Sequence, residues 1–142
     1  MNIAESVTQR GVFDTAQVAN NENNHFTKEC IYEALWELIK HQDYNTITIT
    51  QIANKAGVSR NAIYRNFESK DDIIRKRLLE RYQTFTKKVT YFPQEVSREE
   101  YVTIVCEHLC NQREIAEPLV KANLTEFLLE SFAYIKGTYT TD

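Results

Sequence analysis

The stretch "TITQIANKAGVSRNAIYRNFESKDD", residues 48–72, decides the fold because it contains the start and stop signals of two short helices. Thr48 and Gln51 have the spacing of a capping box, in which two side chains satisfy backbone N–H groups at a helix start. Gly57 then suits the left-handed residue that ends a helix, and Ser59 suits the N-cap of the next one. The stretch therefore predicts a helix-turn-helix.

The residues before this stretch predict a first helix. Its N-cap would be Thr27, and the turn residues near Gln42 would end it. One apolar stripe runs along it at helical spacing. The residues of this stripe are Ile31, Leu35, Leu38 and Ile39. Residues 1–24, which end in "NNENN", predict a polar arm.

The residues after the stretch predict three more helices. Ser69 caps a long one that ends at residues 91–93, where the sequence is "YFP", and Ser97 opens the next. A last helix over residues 124–136, ended by Gly137, is apolar on almost every side, so other helices or a second copy must cover it. No strand pattern competes, and the sequence predicts an all-α fold.

Charge is distributed unevenly along the 142 residues. The net charge is −3, but residues 48–88 contain ten basic and four acidic side chains, against seven and sixteen elsewhere. This asymmetry indicates a segment that faces a polyanion, although solvated helix faces can also be basic. No apolar run reaches the roughly 18 residues of a membrane span. The N-terminus also lacks the regions of a secretory signal, so we expect a cytoplasmic protein.

The second helix of a helix-turn-helix can enter the major groove of DNA. Here Ile63 and Phe67 would face the core and leave Arg60, Asn61 and Tyr64 facing outward. Arginine suits a guanine edge, asparagine an adenine edge, and the tyrosine hydroxyl a phosphate oxygen. The pattern therefore favours a DNA-binding helix.

This segment resembles the N-terminal DNA-binding module of the tetracycline-repressor (TetR) family of bacterial transcription regulators, from Thr27 to Leu79. The matching pieces are Ile52-Ala53, Ala56-Gly57-Val58-Ser59, Tyr64, Phe67, Ser69-Lys70 and Ile73. The resemblance implies a DNA-contacting set of Thr48, Ser59, Arg60, Asn61, Tyr64, Arg65, Asn66 and Lys70. Thr48 and Lys70 lie at helix N-termini, where the dipole and free N–H groups favour a phosphate.

The resemblance also implies a homodimer on a palindromic double-stranded operator, with its two recognition helices ~34 Å apart. The C-terminal domain of this family usually binds a small, lipophilic effector that shifts the dimer out of DNA register. Candidate lining residues for such a pocket, each of which also suits a plain core, are Tyr101, Val105, Leu109, Phe127, Phe132 and Trp36. No cofactor is expected.

The predicted architecture is an N-terminal three-helix DNA-binding module with a helix-turn-helix, a long connecting helix and a short C-terminal helical domain. The predicted boundaries are a polar arm over residues 1–24, the DNA-binding domain over 25–70, and a helical dimerisation or effector domain over 71–142. The last region is shorter than the family pattern, which leaves truncation open.

Two other classes of function are alternatives to DNA binding. A shortened family member could act through protein–protein contacts of its apolar last helix. An enzyme is not supported, because no paired carboxylates, nucleophile elbow or phosphate-binding glycine loop appears. Cys106 and Cys110 would share a helix face and could hold a metal, but no fourth ligand is near. We therefore expect these cysteines, with Cys30, to be small apolar residues in a reduced interior.

Overall fold

The computed structural model describes residues 3–90 and 97–139, and every regular element in them is helical. In chain order the helices are α1 (Ile3–His41), α2 (Ile49–Ala56), α3 (Arg60–Asn66), α4 (Lys70–Thr90), α5 (Arg98–Asn111), α6 (Arg113–Lys121) and α7 (Thr125–Tyr139), with a 3-10 turn, η1 (Tyr44–Thr46), between α1 and α2. The predicted all-α fold is confirmed. None of these described helices is long and apolar enough to cross a membrane.

Capping fixes the helix-turn-helix where the sequence predicts it. The Thr48 hydroxyl accepts from the Gln51 N–H at 3.2 Å, and Gln51 Oε1 accepts from the Thr48 N–H at 2.8 Å. Gly57 ends α2 with a φ of 68°. Ser59 Oγ accepts from the Ala62 N–H at 3.1 Å and starts α3. Local signals thus determine both sides of the turn.

Substitution of Gly57 tests this turn. In Gly57→Ala the left-handed conformation should lower the free energy of unfolding by about 1–2 kcal/mol. A Cβ at this position would meet no atom within 4 Å, so the loss would come from the backbone and not from a clash. Gly57→Asn should lose less, because asparagine tolerates this conformation better. Urea denaturation measures both variants, and equal losses would contradict the backbone explanation.

The start of α1 differs from the prediction. The N-cap expected at Thr27 is wrong, because the helix is continuous from Ile3 and the Thr27 hydroxyl donates to the Asn23 carbonyl at 2.8 Å. A threonine inside a helix can satisfy its hydroxyl on the preceding turn, so this residue type alone does not fix a helix start. The region predicted as a polar arm is therefore helical from Ile3. The predicted helix end is confirmed, since α1 ends at His41.

α6 lies in a segment where the sequence predicted no helix. Pro118 removes a backbone N–H from the interior of this helix, which normally weakens it. Ile115, Pro118 and Leu119 are nevertheless buried together, and the Trp36 indole N–H donates to the Ile115 carbonyl at 3.0 Å. Burial of this face therefore outweighs the lost hydrogen bond.

The ends of the other C-terminal helices are partly as predicted. Ser97 and Glu100 form a capping box at α5, with N–H···O distances of 3.0 and 3.2 Å. The stop predicted at Gly137 is wrong, because α7 continues to Tyr139. One glycine inside a helix costs only about 1 kcal/mol, which the rest of the helix can offset. The stop predicted at residues 91–93 lies outside the described residues.

One hydrophobic core joins the helix-turn-helix to the C-terminal helices. Ile52 and Ile63 are fully buried in the same cluster as Leu119 of α6 and Phe127 of α7. Side chains from α1 and α4 complete this cluster. The position of α2 and α3 therefore depends on packing against residues far along the chain.

Candidate nucleic-acid interface

The outer face of α3 presents the side chains that the sequence predicts for DNA contact. Arg60, Asn61, Tyr64 and Arg65 are exposed, and Tyr64 keeps 51% of its surface accessible although its ring is large and apolar. Within the described part of the chain, no hydrogen bond or ion pair occupies their polar ends. These four residues, called the outer face of α3 below, are free to contact a ligand.

The inner face of α3 holds that surface rigidly. Ile63 is fully buried, and the Phe67 ring meets the Tyr32 ring edge-on with centroids 5.5 Å apart. Lys76 Nζ of α4 donates to the Asn66 carbonyl at 2.9 Å and lies 5.5 Å from the Phe67 ring centroid. Because both α1 and α4 contact the end of α3, the outer face has a fixed orientation.

Thr48 and Ser59, two further members of the predicted set, act first as helix caps. Their oxygens accept backbone N–H bonds at the starts of α2 and α3. The Thr48 N–H lies at a helix start where the sequence predicted a phosphate contact, but it already donates to Gln51. Both side chains are exposed, so their structural role leaves their surfaces accessible.

Asn66 and Lys70 lie apart from the outer face of α3. Asn66 is half-buried, and its Nδ2 donates to the Ala62 carbonyl at 2.9 Å. Lys70 Nζ donates to the carbonyls of Tyr44 at 2.6 Å and Ile47 at 2.8 Å. Burial lowers the pKa of Lys70 from its ordinary value. The polar ends of both residues are therefore used inside the protein, which the sequence pattern did not indicate.

Three of the ten cations counted in residues 48–88 form ion pairs within the described part of the chain. Arg75 contacts Glu130 at 2.8 Å, Lys76 contacts Asp72 at 2.8 Å, and Arg77 contacts Glu29 at 2.6 Å. In this segment Lys70 donates to two backbone carbonyls instead. The described cations that contact neither an acidic side chain nor a carbonyl are Lys55, Arg60, Arg65 and Arg81. The sequence count therefore overstates the charge available to a polyanion.

Lys55 is a candidate that the sequence analysis counted as charge but did not place in the site. It is exposed in the last turn of α2, two residues before Gly57. A cation at the C-terminal end of α2 is near the turn that leads into α3. Its position beside the turn of the helix-turn-helix could have identified it as a candidate phosphate contact from the sequence.

The predicted effector pocket is only partly described. The side chains of Tyr101, Val105, Leu109 and Phe132 lie outside the described residues. Phe127 and Trp36 are buried at 4% and 7% exposure. Both also border an open groove between α1 and α6–α7, whose wall includes many charged side chains, such as those of Glu33, Glu37, Lys40 and Lys121. The wall of this groove is therefore mixed, and it is more polar than the mainly apolar lining that is usual for a lipophilic ligand.

The cysteines differ from the prediction of an apolar interior. Cys106 and Cys110 are exposed on α5, and Cys30 is half-buried. The interior prediction is therefore wrong for the first two, because their face of α5 points to solvent. Among the described residues, no group of three or more His, Cys, Asp or Glu side chains could hold a metal ion.

Comparisons with known proteins find similarity to transcription regulators. The family model for bacterial regulatory proteins of the tetR family matches residues 31–76. The HTH-type transcriptional regulator HbdR of Aromatoleum sp. (strain CIB) is 37% identical over 82 residues, which are 57% of this chain. The match covers 33% of that regulator, so the chain spans about a third of the length of its curated relative. No solved structure matches the chain.

Proposed function

We propose that this chain, whose residues 31–76 match the family model for bacterial regulatory proteins of the tetR family, binds a specific duplex DNA site and regulates transcription there. The observation that carries the proposal is the outer face of α3. Its polar ends are unoccupied, while its inner face is fixed by the core. A rigid helix with free hydrogen-bond donors meets the requirements of major-groove recognition.

The chemistry of the outer face assigns a role to each residue. Arg60 can donate two hydrogen bonds to the O6 and N7 atoms of guanine, and Asn61 can pair with adenine. The exposed Tyr64 can donate its hydroxyl to a phosphate and place its ring against a thymine methyl group. Lys55 and Arg65 can neutralise phosphates, which positions the protein without reading sequence.

The match to this family supports a homodimeric repressor on a palindromic operator, acting in the cytoplasm without a cofactor. A small, lipophilic effector would release it by binding the DNA-free conformation more tightly, since only differential affinity shifts such an equilibrium. The effector site would then involve the C-terminal helices, where Phe127 is the predicted pocket residue with a described side chain. Thr48, Ser59, Asn66 and Lys70 would support the DNA contact by positioning helices.

Electrophoretic retardation tests this proposal. The probe is the duplex immediately upstream of the protein's own coding sequence, called the upstream duplex below. Wild-type protein should retard it, and Arg60→Ala and Tyr64→Ala should each weaken binding by about 1–3 kcal/mol, as expected for loss of a specific contact. Binding should also weaken steeply as salt rises, because bound phosphates release counterions. Unchanged retardation by both variants would exclude the outer face of α3 as the recognition surface.

A second candidate function is an interaction protein that modulates a longer relative. Two large apolar side chains favour it, because Val120 of α6 and Leu129 of α7 are 51% and 67% exposed. Such residues can cover one another at a protein–protein contact. Light scattering separates the two functions, since a stable homodimer that binds the upstream duplex unaided argues against a purely modulatory role.

A further inference from the structure

The turn η1 holds the first turn of α2 in its position in space. It joins α1 to α2, and the residue that ends it, Ile47, directly precedes the N-cap Thr48. Tyr44 and Ile47 are both buried, at 8% and 3% exposure. A displacement of Tyr44 would therefore move the first turn of the helix-turn-helix, since only three residues separate it from Thr48.

Lys70 attaches η1 to the start of α4. Its ammonium donates to the carbonyls of Tyr44 and Ile47 and lies 4.1 Å from the centroid of the Tyr44 ring. The Tyr44 hydroxyl donates to Asp71 on the same helix. Burial, together with this hydrogen bond, raises the pKa of Tyr44 above its ordinary value. Residues at the start of α4 thus hold both the side chain and the backbone of Tyr44.

α7 contacts the same tyrosine. The Phe127 ring meets the Tyr44 ring edge-on, with centroids 6.3 Å apart and planes at 72°. Arg75 lies 5.1 Å from the Phe127 centroid and forms an ion pair with Glu130 one turn further along α7. These contacts form one continuous path from α7, through Phe127 and Tyr44, to the backbone carbonyls that precede α2.

We propose that Tyr44 is a positioning residue through which α7 sets the DNA affinity of the helix-turn-helix. The inference rests on the proposed DNA-binding function and goes beyond it, because Tyr44 and Phe127 are buried and need not contact DNA. Movement of α7 displaces the Phe127 edge, Tyr44 follows, and the two carbonyls bound by Lys70 shift. α2 then no longer presents α3 in its DNA-binding orientation. A packed core has few alternative arrangements, so a small shift at one end is carried to the other.

Fluorescence anisotropy with the labelled upstream duplex tests this role. Phe127→Ala should weaken binding about fivefold or more, the usual lower range of coupling between sites. Leu119→Ala is the matched control, because Leu119 is fully buried in the same core but has no ring or hydrogen-bond contact with Tyr44. It should destabilise the fold by a comparable amount and leave affinity within about twofold of wild type. Equal effects of the two variants would overturn the proposal.

A double-mutant cycle locates the coupling. In a Lys70→Met background, Phe127→Ala should weaken binding much less than it does in the wild type, because the attachment of η1 is already lost. Additive effects would place the action of Phe127 elsewhere. If the alanine variant does not fold, Phe127→Leu keeps the core filled and removes the ring edge. Phe127→Leu should then still weaken DNA binding more than Leu119→Ala does.

Hydrogen exchange separates failure of this inference from failure of the proposed function. The Ile47 N–H donates to the Tyr44 carbonyl and the Ile52 N–H to the Thr48 carbonyl, each at 3.1 Å. In Phe127→Leu these two amides should exchange faster while other core amides change less. In Leu119→Ala any faster exchange should be shared by amides throughout the core, because it comes from lower global stability. If wild-type protein does not bind the upstream duplex, the proposed function fails while this measurement still tests the positioning role. Unchanged exchange in Phe127→Leu would overturn that role even if DNA binding is observed.

Discussion

Replacing Phe67 by alanine is expected to lower the free energy of unfolding by about 3–5 kcal/mol, the usual loss for a buried phenylalanine. Phe67 is 2% exposed, packs edge-on against Tyr32, and lies beneath the ammonium of Lys76. A domain is typically stable by only about 5–15 kcal/mol. The variant should therefore be partly unfolded at moderate temperature and lose DNA binding as a consequence.

Urea denaturation followed by circular dichroism measures this loss, and Phe26→Ala provides the matched control. Phe26 undergoes the same chemical change, but 69% of its surface is exposed. We expect its free energy of unfolding to change by no more than about 0.5 kcal/mol. Similar losses in the two variants would mean that α3 is not anchored to the core through Phe67.

Reversing the charge of Arg60 is expected to lower the affinity for the upstream duplex by roughly a hundredfold without harming the fold. Arg60→Glu removes a contact worth about 1–3 kcal/mol and places a negative charge against DNA phosphates. A loss near the upper end of that range corresponds to roughly a hundredfold lower affinity, since 1.4 kcal/mol is tenfold. Arg60 is the first residue of α3, where the helix dipole favours an acidic side chain. The melting temperature should therefore stay constant or rise slightly.

Arg113→Glu controls for the change in net charge. Arg113 is exposed at the start of α6, and its ion pair with Glu117 spans 3.1 Å. Loss of an exposed pair costs about 0–1 kcal/mol, so this variant should remain folded. Anisotropy titration should give near wild-type affinity for Arg113→Glu and an affinity lower by roughly a hundredfold for Arg60→Glu. Equal weakening would indicate a general charge effect and would contradict a specific role for α3.

The helix-turn-helix was predictable because its signals are local. The hydroxyls of Thr48 and Ser59 reach backbone N–H groups three residues away, and Gly57 adopts the conformation that other residues resist. Such interactions need no partner from elsewhere in the chain, so the sequence pattern is sufficient. The alternation of inward Ile63 with outward Arg60 and Tyr64 followed from the helical period in the same way.

Errors arose where distant residues compete with a local preference. Pro118 disfavours a helix locally, yet α6 forms because it is buried against α1. Thr27 favours a helix start, yet its hydroxyl bonds to the preceding turn. The exposure of Cys106 and Cys110 depends on which face of α5 meets the remaining helices. A short window of sequence does not contain these partners.

The order of the caps, the turn and the outward side chains follows from the amino-acid sequence alone, since each depends on residues at most four positions apart. Which charges remain available depends on the tertiary fold, because the acidic partner of Arg75 lies on α7 and that of Arg77 lies on α1. The tertiary fold also decides that Lys70 holds η1 within the protein and that Phe127 packs on Tyr44. Long-range pairing follows from how the buried faces fit together, and that fit is a property of the whole packed core.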